Sequence, residues 1–316
     1  MKPTLFLVRA LTRAAAALAL LFAPASGLRA DATNQIAQRR FSTPEEAAQA
    51  LAAAAKSGDR AALDALFGPE VKGLLSGDAR QDDIEFAAFA KAIGQFSHMV
   101  RKADDCYILD VGAKNWPMPI PIVKKDGAWL FDTLAGKEEI LNRRIGEGEA
   151  TAIGVCRAYV LAQREYASED RDGSGVLKFA QRLKSTPGKK DGLCWPAGPG
   201  EVQSPLGPLV AEARAEGYGG KTAEGEPQPF HGYRFKLLTA QGPAAPGGAY
   251  NYVINGNLIA GFALVAYPAH WGESGVMTFI VNQWGRVYQC NLGEGSAKEA
   301  SEMTLFDPDA SWKPVP

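Results

Sequence analysis

The chain has 316 residues, of which 46% are hydrophobic, 22% charged and 9% aromatic, as in folded globular proteins. Its 34 basic and 35 acidic residues give a formal net charge of -1. No overall positive field therefore favours nucleic acid or an anionic membrane as a partner. A chain of this length predicts about two domains.

The first 30 residues have the pattern of a secretory signal peptide. Lys2, Arg9 and Arg13 precede an apolar run at 14–23, and small residues follow up to Ala30. The apolar run is about half of the roughly 20 residues that a membrane-spanning helix needs. We expect cleavage near residue 30, with earlier positions left open, and then a linker over 31–40. The mature chain is expected to have no membrane span and to be periplasmic or secreted.

The segment 41–135 predicts an N-terminal α+β domain. Thr43, Pro44 and Glu46 form a helix start with a capping box, and Asp59 is suited to cap a second helix. Helices are predicted over 44–56, from the Asp59 cap through 66, and over 82–100. Strands are predicted over 106–111, 120–124 and 128–132.

This opening resembles the cone-shaped domains related to nuclear transport factor 2. The resemblance rests on Pro44-Glu45, on Gly58-Asp59 and on the Gly-Ala-Trp strand at 127–129. It implies a cone with a pocket, a fold that serves enzymes, binding proteins and scaffolds alike. His98 with Asp104 or Asp105 is a candidate pocket base, although a histidine near a helix end is more often structural.

The segment 136–316 predicts a second α+β domain. A helix begins at 136, is expected to break or kink at 146–148, and continues over 149–167 with one apolar stripe. A Gly- and Pro-rich excursion over 185–232 contains one helical window at 206–215. Antiparallel strands then follow, at 233–238, 249–254, 258–267, 276–281 and 286–289. With the helix packed on this sheet, the domain is expected to have two layers.

A polar turn follows the long helix of the second domain. Asp170, Asp172, Ser174 and Gly175 match positions 1, 3, 5 and 6 of a calcium-binding loop. Gln181 stands at position 12, where such loops carry a bidentate glutamate. A solvated turn that leads into a short helix over 176–183 is the favoured interpretation, and a calcium site is the alternative.

The second domain resembles the soluble part of type IV pilins and pseudopilins in its layout and short motifs. These motifs are Ala-Gln-Arg-Glu-Tyr (162–166), Gly-Tyr-Arg-Phe (232–235), Ala-Tyr-Pro (266–268) and Phe-Ile-Val-Asn-Gln-Trp-Gly (279–285). The chain departs from pilins because no hydrophobic assembly helix directly precedes the helix at 149–167.

Most of residues 41–312 also resemble the secreted bacterial family known as domain of unknown function 2950. The shared segments are Trp-Pro-Met-Pro-Ile-Pro (116–121), Phe-Asp-Thr (131–133), Gly-Lys-Glu-Glu-Ile-Leu (136–141), Asp-Gly-Leu (191–193), Gly-Phe-Ala-Leu-Val-Ala-Tyr-Pro (261–268) and Gly-Val-Met-Thr-Phe-Ile-Val-Asn (275–282). The resemblance implies export from a bacterium and transfers no functional residue.

Four cysteines are candidates for disulfide bonds in an exported chain. They are Cys106, Cys156, Cys194 and Cys290, and they allow three pairings. Cys156 falls in a predicted helix, where a buried free thiol is expected. Cys194 and Cys290 both lie beside predicted loops, so we favour a bridge between them.

Two sets of residues suggest chemistry of the hydrolase type. His270, Glu273 and Ser274 lie close together, but the run does not fit the Gly-x-Ser-x-Gly elbow of serine hydrolases. Asp307 and Asp309 flank a proline, as is typical of a turn. An envelope hydrolase that uses His270, Glu273 or Ser274 is therefore the alternative hypothesis.

Aromatic residues near predicted loops of the second domain suggest a binding face. Trp271, Trp284 and Tyr288 are the candidate aromatic contacts, and Asn282 and Gln283 are the candidate hydrogen-bonding side chains. We expect an exported, non-enzymatic module that binds an envelope protein or glycan, with no cofactor.

Overall fold

The computed structural model describes residues 37–74, 79–198, 200–215, 220 and 228–316. The predicted signal peptide and the linker residues 31–36 lie outside the described residues. The α+β class is confirmed, since helices accompany several antiparallel sheets. Within the described residues, no helix combines the length and the apolar character needed to cross a membrane.

Three helices open the described chain. They are α1 (Pro44–Ser57), α2 (Arg60–Phe67) and α3 (Ala79–Gln95), with a 3-10 segment at Gly68–Leu74. Thr43 Oγ1 accepts a hydrogen bond from Glu46 N at 3.2 Å, and Asp59 Oδ1 accepts one from Ala62 N at 3.0 Å. The predicted caps of α1 and α2 are thus confirmed.

The first sheet follows these helices. Its strands are β1 (Ser97–Ala103), β2 (Cys106–Val111), β3 (Trp116–Pro117), β4 (Ile122–Lys125) and β5 (Ala128–Phe131), in the antiparallel order β1-β2-β4-β5 with β3 beside β2. The helix predicted over 82–100 is wrong at its end, because β1 forms a hairpin with β2 in which His98 pairs with Asp110. Leu51, Ile122 and Phe131 are fully buried in the core between this sheet and the helices.

One helix connects this first core to the rest of the chain. Helix α4 (Thr133–Tyr166) runs unbroken for 34 residues, so the break predicted at 146–148 is wrong. Its N-terminal part joins the first core through Thr133 Oγ1, which donates to Phe67 O at 2.7 Å. Its C-terminal part buries Ala152, Tyr159 and Tyr166 in the second core.

Gly148 and Glu149, at the centre of α4, contact other segments of the chain while the helix continues through them. A Cβ atom on Gly148 would lie 2.8 Å from His231 O and 3.1 Å from Ser274 O, so this glycine permits close packing of the helix on two loops. Glu149 Oε1 accepts hydrogen bonds from Val276 N and Met277 N at 3.1 and 3.0 Å. The glycine therefore allows a contact with another segment instead of ending the helix.

The C-terminal part contains two short helices, a five-stranded sheet and smaller strand pairs. The helices are α5 (Gly207–Ala215) and α6 (Ser296–Glu302). The strands are β6 (Tyr233–Leu238), β7 (Ala240–Gln241), β8 (Tyr250–Asn251), β9 (Val253–Ile254), β10 (Asn257–Leu258), β11 (Ala263–Pro268), β12 (Thr278–Asn282), β13 (Val287–Cys290), β14 (Leu305–Phe306) and β15 (Lys313–Pro314). The main sheet has the antiparallel order β15-β13-β12-β11-β6, and a smaller sheet has the order β14-β7-β8.

The main sheet is covered on both faces. Every residue of β11 and β12 is buried, which requires packing elements on each side of these strands. Helix α4 contacts β11, β12 and β13, while α6 and β14 also pack against the sheet. The arrangement therefore has a third layer that the two-layer expectation lacked.

The helix predicted over 176–183 is also wrong. The main chain there bonds to other segments: Phe179 N donates to Leu258 O at 2.8 Å, and Ala180 N donates to Gln163 Oε1 at 2.8 Å. These donors are consequently not available for bonds within a helix.

Candidate functional site

The turn between β12 and β13 displays a large aromatic side chain. Trp284 has 71% of its surface exposed, the highest fraction among the large apolar side chains that the structure describes. The turn is held by three hydrogen bonds: Trp284 N donates to Asn282 Oδ1 at 3.2 Å, Gly285 N to Asn282 O at 2.8 Å, and Arg164 of α4 to Gln283 O at 2.9 Å. Gly285 has a φ of 81°, the left-handed region that glycine adopts without strain.

Further side chains extend this surface. Gln283 Nε2 donates to the Tyr250 hydroxyl at 3.0 Å, and Tyr250, 37% exposed, packs edge-on against Tyr252. Leu161 is 65% exposed and lies one helical turn before Arg164 on α4. We call the surface formed by Tyr250, Gln283, Trp284, Leu161 and Arg164 the aromatic turn.

The chemistry of the aromatic turn suits binding. It offers an indole face, a phenol, an amide, a guanidinium and an aliphatic side chain. An indole or phenol ring can stack on a sugar or insert into a pocket of a protein partner. Behind the surface, burial raises the pKa of Tyr252, which keeps this hydroxyl neutral as it donates to Gln241 Oε1 at 2.9 Å.

The structure brings only part of the predicted aromatic face together. Gln283 and Trp284 are adjacent on the turn, whereas Asn282 is buried and supports the turn from within. Trp271 lies at the other end of the strands, where its Nε1 donates to Asn291 Oδ1 at 2.9 Å. Tyr288 of β13 packs edge-on against Phe306 of β14.

Tyr250, Leu161 and Arg164 are the members of the aromatic turn that sequence reasoning missed. The exposed Leu161 within the otherwise polar face of α4 was the available signal for one of them. Arg164 lies 119 residues from Gln283 in sequence, and only the packing of α4 on the sheet brings the two together.

The candidate hydrolase residues form a main-chain turn. Ser274 Oγ donates to His270 O at 3.0 Å and accepts from His270 N at 3.0 Å. The hydroxyl is thereby engaged by the backbone of the histidine, while the His270 and Glu273 side chains are exposed. Nucleophilic catalysis needs the hydroxyl bonded to a base, so this geometry gives the hydrolase hypothesis no support.

The candidate calcium loop is closed on itself. Asp170 accepts hydrogen bonds from Ser174 N and Gly175 N, and Lys178 Nζ lies 2.6 Å from Asp172 Oδ2. The Lys178 ammonium lowers the pKa of Asp172 to about 2, with Ser174 as the next cause. Within the described residues, no group of three or more His, Cys, Asp or Glu side chains is placed to hold a metal ion.

The predicted bridge between Cys194 and Cys290 is not formed. All four cysteines are free thiols. The main chain of Cys194 pairs with that of Lys184 in an isolated parallel β-bridge. Cys290 lies at the end of β13, where its Sγ is 3.7 Å from Ser311 Oγ. Different segments therefore hold the two sulfur atoms.

His98 and the candidate acids Asp104, Asp307 and Asp309 have side-chain partners, whereas Asp105 bonds through its main-chain oxygen, which accepts from Lys124 N at 2.9 Å. His98 Nε2 lies 3.7 Å from Asp110 Oδ2, across the β1–β2 hairpin, and Asp104 forms a salt bridge with Arg101. Asp307 Oδ1 accepts from Ala244 N at 2.8 Å. Asp309 accepts from Ser311, and these hydrogen bonds lower the pKa of Asp309.

The fold and the aromatic turn together define an α+β protein with an exposed surface suited to binding. Residues 38–315 match the model of the family described as "Protein of unknown function (DUF2950)". This match covers most of the chain, which therefore belongs to that family. No curated protein and no solved structure matched the chain, so the resemblances to pilins and to nuclear transport factor 2 are not confirmed.

Proposed function

We propose that the protein is an exported, non-enzymatic binding module of the bacterial envelope whose aromatic turn contacts an envelope protein or glycan. Export is supported by the pattern of the first 30 residues, and the binding role is supported by Trp284. This indole is 71% exposed on a turn that three hydrogen bonds hold in place.

Both the Trp284 indole and the hydrogen-bonded turn that carries it favour binding energetically. Indole side chains are enriched among the residues whose truncation costs about 2 kcal/mol or more at interfaces. Because the hydrogen bonds to Asn282 and Arg164 already order the turn, little further conformational entropy is lost when a partner binds. The adjoining Gln283 and Tyr250 supply polar groups at the rim of the contact.

The proposal is tested with the mature chain, residues 31–316, immobilised and exposed to envelope extract. One portion of the extract is treated with protease and another with glycan-degrading enzymes. We expect one component to be retained, and Trp284→Ala to weaken its binding about 30-fold, the equivalent of roughly 2 kcal/mol. If protease treatment abolishes retention, the partner is a protein; if the glycan-degrading enzymes abolish it, the partner is a glycan.

Trp116→Ala is the matched control, since Trp116 is 45% exposed but lies on β3 in the first sheet. Circular dichroism verifies that both variants are folded. Equal retention by native protein and folded Trp284→Ala would show that the aromatic turn is not the binding surface.

A further inference from the structure

A second surface lies next to α6, on the opposite side of β7 from Tyr250 of the aromatic turn. An open groove of about 400 Å³ runs between α6, β14 and the C-terminal segment. Its apolar lining comes from Ile280, Met303, Leu305 and Trp312. Leu305 is 41% exposed, while its neighbour Phe306 on β14 is fully buried against the sheet.

The rim of the groove is acidic. Glu299, Glu302 and Asp307 line it, and the two glutamates are neighbours three residues apart on α6. Both glutamates are exposed, and in the part of the chain that the structure describes neither carboxylate has a salt bridge or hydrogen bond. The nearby cation Lys236 is directed to the carbonyl oxygens of Ser301 and Met303.

One edge of the groove is an outer strand. β14 is the terminal strand of the order β14-β7-β8 and pairs with β7 in parallel, so within the described residues it has a strand partner on one side only. An extended peptide can add to such an edge through main-chain hydrogen bonds, while its alternate side chains enter adjacent pockets.

We propose that this groove binds an extended basic segment of a partner protein, in which lysine or arginine alternates with apolar residues. The basic side chains meet Glu299, Glu302 and Asp307, and the apolar ones cover Leu305 and Trp312. Charge complementarity favours this occupant, because an acidic peptide would bring like charges together at the rim. The proposal is independent of the aromatic turn.

The test uses a fluorescent, end-blocked Lys-Leu-Lys-Leu-Lys peptide and the mature chain, with binding measured by fluorescence anisotropy. We expect saturable binding that weakens when salt rises from about 50 to about 300 mM. The double variant Glu299→Gln, Glu302→Gln is expected to bind about tenfold more weakly, and Leu305→Gln to bind several-fold more weakly. A peptide with N-methylated leucines is expected to bind more weakly, since it lacks the donors for strand pairing.

Glu138→Gln with Glu147→Gln is the matched control, because both glutamates are exposed on α4 outside the groove. Three results would overturn the proposal: no binding of the lysine peptide, binding by the α6 double variant within twofold of the native protein, or equal binding of a Glu-Leu-Glu-Leu-Glu peptide. Trp284→Ala leaves this binding unchanged, which separates the result from that of the proposed function.

Discussion

The Asp172 carboxylate shows how a neighbouring side chain decides the role of an acid. Its spacing from Asp170 and Ser174 matched a calcium loop. The structure places Lys178 Nζ 2.6 Å from Asp172 Oδ2 and 3.1 Å from Ser174 Oγ, so a lysine supplies the positive charge. The spacing of the acids could be read from the sequence, but the fold of the turn that brings Lys178 back to them could not.

This ion pair predicts a pH dependence of stability. The pKa of Asp172 is lowered from 3.8 to about 2 in the folded chain, so its contribution is present above pH 4 and is lost as the pH falls through 2. We expect Asp172→Asn to lower the melting temperature at pH 6, and the difference from the native protein to narrow between about pH 4 and pH 2. Thermal unfolding followed by circular dichroism measures this difference.

Glu294→Gln is the control for this experiment, since Glu294 is exposed and its carboxylate has no hydrogen bond or salt bridge to the described residues. A constant difference between the native protein and Asp172→Asn over this pH range would contradict the assigned role of the ion pair.

Helix α4 shows that glycines of one element differ in their surroundings. Gly148 faces the carbonyl oxygens of His231 and Ser274, while a Cβ atom on Gly154 would meet nothing within 4 Å. The sequence shows four glycines in α4, at 136, 146, 148 and 154, and does not show which of them another segment approaches. For this reason the break predicted at 146–148 was wrong.

Paired alanine substitutions test this difference. Gly154→Ala is expected to raise the free energy of unfolding by about 0.5–1 kcal/mol, because alanine loses less backbone entropy in a helix. Gly148→Ala is expected to lower it, because the new methyl group would lie 2.8 Å from a main-chain oxygen. Urea denaturation measures both, and equal stabilisation by the two changes would show that the loops move aside freely.

Strand prediction succeeded where the alternation of apolar and polar residues was strong. The strand predicted over 233–238 coincides with β6, and the strand at 106–111 coincides with β2. The helix over 82–100 was extended too far because Phe96 and Val100 also continue a helical spacing. The hairpin with β2 provides hydrogen bonds that a propensity argument does not include.

At the scale of the whole molecule, the free thiols contradict the disulfide that the exported character suggested. Spacing in a sequence shows which pairings are possible, but a bond also needs the two sulfur atoms to meet. Likewise, the family and the α+β class could be predicted from local motifs. The composition of the aromatic turn could not, because α4 and the β12–β13 turn contribute to it from distant parts of the chain.

Thiol titration tests whether all four cysteines are free. We expect a thiol reagent to find four thiols per denatured chain prepared without reducing agent. In the native protein Cys156 is expected to react slowest, since burial raises the pKa of its thiol to about 12. Two missing thiols, with a linked Cys194–Cys290 peptide in the mass spectrum, would instead establish the bridge.

The length of α4 also limits what one partner can touch. At about 1.5 Å per residue, roughly 40 Å of helix separate Thr133, which is bonded to the first core, from the turn of α4 beneath Gly285. A small domain is only about 30 Å across. A compact partner of that size, bound at the aromatic turn, therefore does not reach Thr133, and the surface around this end of α4 stays available to a second partner at the same time.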